Sequence, residues 1–124
     1  MLQQLVRLSL VISLVSTVCT VGVFHNQSTA NTMVLNETEI NQKLQTLPDW
    51  TKDGDAIART FEFKDFVAAI DFVNKLVAPA EAAGHHPDIV ISYNKVSIFL
   101  TTHDAGGITP KDFDLAQEIS ELAQ

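Results

Sequence analysis

A chain of 124 residues has room for one domain and no more. Fifteen acidic residues against eight basic ones give a net charge of −7, and every acid lies beyond residue 30. That leaves no basic footprint for nucleic acid or an anionic membrane surface. The one cysteine, Cys19, sits in an apolar leader, which excludes a disulfide framework or a Cys-based metal site from the remainder.

Residues 1–30 read as a signal peptide or N-terminal membrane anchor, separate from a domain over residues 31–124. A weakly basic start with Arg7 precedes an uncharged apolar run from Leu8 to Val23, and Ser28-Thr29-Ala30 offers small residues for cleavage. The run is slightly short for a relaxed span. The expected location is therefore exported or membrane-anchored, with membrane contact only through this segment if it is not cleaved. The alternative is a cytoplasmic protein that starts at Met33.

The domain opens with a helix. Asn36 is a good N-cap, Glu37 and Glu39 suit the first turn, and Ile40, Leu44 and Leu47 recur at helical spacing before Pro48. Trp50 lies in a short extended piece, and Lys52-Asp53-Gly54-Asp55 reads as a turn. From Ala56 to Phe63, Ile57, Phe61 and Phe63 alternate with Thr60 and Glu62, the pattern of a half-buried strand. Arg59 shares the apolar side, so its stem is expected to be buried and its head to reach water at the sheet margin.

Phe66, Ala69, Ile70, Val73 and Val77 predict a long helix from about Lys64 to Ala83. Pro79 should kink it, and Gly84 should stop it. Ile89 to Tyr93 and Val96 to Thr102 predict an antiparallel hairpin turning on Asn94-Lys95. Thr109 as cap, Pro110 at the first helical position and Asp112 in the first turn begin the last helix. The expected class is α+β, a four-stranded antiparallel sheet with three helices packed on one face.

Three of the four histidines fall between Glu81 and His103. With Asn94-Lys95 as the turn, Tyr93 pairs with Val96, Ile91 with Ile98, Ile89 with Leu100, and His86 comes to face His103 on the side away from the helices. Glu81 lies one helical turn before His85, within reach of its ring. Isolated histidines at a strand start are usually plain polar loop residues. Metal binding is disfavoured, because His85 and His86 alternate in direction and no His-Glu-x-x-His pattern is present. General acid–base chemistry suits imidazoles that titrate near neutral pH.

The motifs Glu81-x-x-x-His85-His86-Pro87, Tyr93-Asn94-x-Val96 and Leu100-x-Thr102-His103-Asp104 resemble the signature of the pterin-4a-carbinolamine dehydratases. So do Phe61-x-Phe63-x-Asp65-Phe66 and Gly106-Gly107-x-Thr109-x-x-Asp112-x-x-Leu115-Ala116, and the resemblance spans residues 36–123. It implies an enzyme that removes water from 4a-hydroxytetrahydropterin to give quinonoid dihydropterin, in tetrahydrobiopterin recycling, with no metal and no organic cofactor. By position, His85, His86 and His103 would share the acid and base work. Glu81 would orient His85, Asp112 would stand near the site, and Trp50 would be a pocket wall or a core aromatic. The resemblance further implies a homodimer or homotetramer. A non-catalytic assembly or chaperone module on the same scaffold is the alternative, and the complete histidine set weighs against it.

Overall fold

Local signals set the element boundaries in the computed structural model, which describes residues 33–124. Asn36 caps α1 (Glu37–Leu44): its Oδ1 accepts from the Thr38 and Glu39 amides, and Glu39 Oε2 accepts from the Asn36 amide at 2.8 Å. Such a reciprocal cap stabilises a helix by about 1 kcal/mol. The chain then forms β1 (Thr51–Asp53), turns at Gly54 with φ +58°, and returns as β2 (Ala56–Glu62). Asp65 caps α2 (Phe66–Lys75) through the Ala68 amide, and α3 (Val77–Ala83) follows at once. The long helix expected over 64–83 is thus two helices meeting at Leu76. Pro79 sits in the first turn of α3, where its missing N–H leaves no bond back to Lys75. Next come β3 (Asp88–Ser92), β4 (Lys95–Leu100), a 3-10 turn at His103–Ala105, and α4 (Pro110–Leu122).

The four strands pair antiparallel in the order β1-β2-β4-β3, and the core lies between one face of this sheet and the helices. The family-like α+β architecture expected above is therefore present, with α2 and α3 as halves of the middle helix. Val96, Ile98 and Leu100 on central strand β4 are 0% exposed, against Ile119 and Ala116 of α4, also 0%. Burying each large aliphatic side chain contributes about 1.5–3 kcal/mol. Trp50, Phe61, Phe63 and Phe72 form an aromatic chain, with Phe72 4.9 Å from both Phe61 and Phe63 between ring centroids. The Arg59 head is held by protein groups more than by water: its side chain is 21% exposed and Nη1 donates to Ser120 Oγ at 3.1 Å. Its guanidinium lies 4.3 Å from the Phe61 ring centroid and pairs with Asp49 at 2.9 Å, while its backbone stays in β2.

The hairpin corrects one expectation. Its turn is Tyr93-Asn94, not Asn94-Lys95, so Ile91 pairs with Val96, Ile89 with Ile98 and Asp88 with Phe99. Each strand slips by one residue, so the sum of paired positions changes by two and no side chain changes face, although Ile89 and Ile91 stay 36% and 39% exposed. The cause is Asn94. Its side-chain amide donates to the Phe63 carbonyl at 2.6 Å, and the Phe63 amide donates to the Asn94 carbonyl at 2.8 Å, pinning Asn94 to the end of β2. Tyr93 is left at φ +53°, the only non-glycine with positive φ among the described residues. A bulky side chain there costs on the order of 1–3 kcal/mol, which the Asn94 clamp must offset. β3 is an edge strand exposed along its whole length, with Val90 at 56%.

No helix among the described residues is long and apolar enough to cross a membrane. The expected leader, residues 1–30, lies outside them.

Candidate active site

The site begins with the way α3 ends. Gly84 follows the last helical residue with φ 55° and ψ 35°, the Gly84 amide donates to the Glu81 carbonyl, and the His85 amide donates to the Ala80 carbonyl at 3.1 Å. This paired closure reverses the chain within two residues, and only glycine enters its left-handed position without strain. The reversal sends His85 inward, where its residue exposure is 9%, and leaves the His86 side chain 63% exposed. Glu81 therefore does not hold His85. It pairs with His86, Oε1 to Nε2 at 2.9 Å, because the chain has turned back over the helix end by that point.

His85 is held by Asp112 instead. Its Nε2 lies 2.7 Å from Asp112 Oδ1, and Asp112 is 0% exposed. The other oxygen, Oδ2, accepts from the Thr109 amide at 2.7 Å and from the Thr102 hydroxyl at 2.9 Å. One carboxylate thus closes the capping box of α4 and anchors a histidine. A carboxylate can only accept, so Nε2 of His85 carries the proton and Nδ1 remains for a ligand. No buried side-chain nitrogen or oxygen among the described residues lacks a partner.

His103 arrives by a different route from the expected one. β4 ends at Leu100, and His103 stands in the 3-10 turn, so it is not paired with His86 across the hairpin. Its Nε2 comes within 4.0 Å of Asp88 Oδ2 at the start of β3, and its side chain is 73% exposed. Each of the three histidines therefore has a carboxylate neighbour: Asp112, Glu81 and Asp88.

Although the strand register does not bring them together, the histidines line one open cavity of ≈ 200 Å³ with Thr102, Asp104 and Lys111. Among the described residues no three His, Cys, Asp or Glu side chains close on a point suited to a metal ion. Trp50 lies elsewhere. It is 3% exposed, donates from Nε1 to Ser120 Oγ at 2.9 Å, and borders a cleft of ≈ 270 Å³ with Asp49, Arg59 and Ser120. Its position fits the core aromatic and is not a wall of the histidine cavity. A cleft of ≈ 340 Å³ beside α2 holds no histidine.

Lys111 and Thr102 were not singled out in the sequence as site residues. Lys111 follows Pro110 in the first turn of α4, and Thr102 immediately precedes His103. The capping pattern Thr109-x-x-Asp112 was a readable signal for this corner of the fold, but the shared use of Asp112 by His85 was not.

An α+β domain whose cavity holds one buried and two exposed carboxylate-paired histidines is equipped for proton transfer. The family described as pterin 4 alpha carbinolamine dehydratase matches residues 33–122, and the chain belongs to that family. A protein of Cyanothece sp., provisionally named pterin-4-alpha-carbinolamine dehydratase, is 67% identical over 91 residues, covering 73% of this chain and 94% of that protein. A Picosynechococcus sp. protein of the same provisional name is 62% identical over 88 residues, covering 71% and 96%. The crystal structure of a transcriptional coactivator/pterin dehydratase from Brucella melitensis is similar with a TM-score of 0.70 and 36% identity, covering 73% of this chain and 99% of that one.

Proposed function

We propose that the protein is a hydro-lyase that converts 4a-hydroxytetrahydropterin to quinonoid dihydropterin and water, by histidine general acid–base catalysis. The buried His85–Asp112 pair carries the proposal, and membership of the dehydratase family supports it. The reaction breaks the C4a–O bond and forms a C4a=N5 double bond. N5 gives up a proton, the departing hydroxyl gains one, and no electrons are exchanged with a second reactant. Hydroxide is a poor leaving group, so its protonation lowers the barrier; a placed acid or base contributes about 10²–10⁴-fold each.

His85 suits the base. Asp112 fixes its Nε2–H and stabilises the imidazolium formed as Nδ1 takes the N5 proton, the role a carboxylate plays behind a catalytic histidine. The proton for the leaving hydroxyl comes from the open side of the cavity, where His86 and His103 stand. Lys111 offers a cation for the pterin carbonyl edge, and Glu81 holds the His86 ring.

Purified protein mixed with freshly generated 4a-hydroxytetrahydropterin is expected to hasten its absorbance decay in proportion to protein concentration. A decay no faster than the spontaneous one would overturn the enzyme reading in favour of an assembly module.

A further inference from the structure

Two parts of the site close on one residue that contributes no imidazole and no charge. Thr102 is 8% exposed, and its Oγ1 lies 2.9 Å from Asp112 Oδ2 and 2.8 Å from Thr109 Oγ1. The carboxylate only accepts, so the single Thr102 hydroxyl proton goes to Asp112, and the Thr109 hydroxyl must then donate to Thr102. Thr109 Oγ1 itself is 3.5 Å from Asp112 Oδ2, too long to replace that bond. Oδ2 therefore rests on the Thr102 hydroxyl and the Thr109 amide, which leaves Oδ1 aimed at His85.

The backbone of the same residue builds the turn that carries His103. The Thr102 carbonyl accepts from the Ala105 and Gly106 amides, each at 3.0 Å, and its amide donates to the Gly107 carbonyl at 3.1 Å. Gly106, at φ +76°, supplies the left-handed residue that lets the loop return to this bridge. The side chain of Thr102 thus faces the His85 anchor while its main chain sets the base of the His103 turn.

We propose that Thr102 is a positioning residue for the dehydration: its hydroxyl orients Asp112 and through it His85, and its tie to Asp112 holds the His103 turn against the start of α4. The kinetic consequence rests on the dehydratase reading, whereas the effect on the His85 ring follows from the hydrogen bonds alone.

Thr102→Val keeps the volume and removes the hydroxyl; Thr102→Ser keeps the hydroxyl and removes the methyl group. T102V is expected to lower kcat about 10–100-fold with a smaller change in KM, while T102S stays within about threefold of wild type. Nitrogen-15 spectra of the ring should show His85 as the Nε2–H form in wild type and T102S, and as a mixture in T102V. A purely structural role would lower the melting temperature of T102V and leave its kcat and ring spectrum unchanged. That result overturns the proposal, as does a T102S variant as impaired as T102V. If wild-type protein shows no turnover, the dehydratase reading falls and the ring spectra alone decide the role of Thr102. If T102V does not fold, the wild-type spectrum decides. A hydroxyl proton of Thr102 that is resolved and slow to exchange supports the proposal, and one that exchanges freely overturns it.

Discussion

Asp112→Ala is expected to lose both stability and turnover, because one side chain serves both. The substitution leaves the Thr109 amide and the Thr102 hydroxyl without their acceptor at a fully buried site, and it frees the His85 ring. Each orphaned buried donor costs about 1–3 kcal/mol, and one of the two, the Thr109 amide, is the bond that closes the capping box of α4. A destabilisation of roughly 3 kcal/mol or more by denaturant unfolding is expected, with kcat reduced at least about 100-fold in the fraction still folded. Asp112→Asn separates the two effects. It preserves shape, but turns an NH₂ group towards either the Thr109 amide or the His85 Nε2–H, where a donor meets a donor. A D112A variant as stable and as active as wild type would remove Asp112 from both roles.

His103→Ala is expected to lose turnover while keeping its stability. The side chain is 73% exposed, its nearest carboxylate is an exposed Asp88 at 4.0 Å, and the turn beneath it is held by main-chain bonds to Thr102. Exposed pairs of this kind contribute little, so stability should change by no more than about 0.5 kcal/mol. Turnover should fall about 10²–10⁴-fold if His103 supplies or relays a proton. Thermal unfolding and initial rates on the same preparation check both halves. Unchanged turnover in a folded H103A would exclude His103 from the chemistry.

The contrast between these two residues shows what the sequence could and could not reveal. Periodicity exposed the element order, the core faces of β2 and β4, and the capping of α1 and α4, because each is a local consequence of side-chain spacing. The family-like histidine set was equally visible. Its partners were not, since they depend on where the chain reverses. The closure at Gly84 sends adjacent His85 and His86 in different directions, so Glu81, on the last turn of α3, takes the second histidine, and His85 finds Asp112 from 27 residues away. The hairpin turn failed for a related reason. The two apolar runs leave Asn94-Lys95 between them as a two-residue turn, yet tertiary bonds to Phe63 make Asn94 the second turn residue and leave the positive φ at Tyr93. Trp50, too, is decided by a distant partner, Ser120 on α4, which secures it in the core.

The most direct test of the whole account ties acceleration to this cavity. The decay of 4a-hydroxytetrahydropterin would be followed side by side with wild-type protein and with a folded variant carrying His85→Ala, His86→Ala and His103→Ala together. The account predicts rapid, concentration-dependent decay with wild type and only the spontaneous rate with the triple variant. Equal acceleration by both would place the chemistry elsewhere and contradict it.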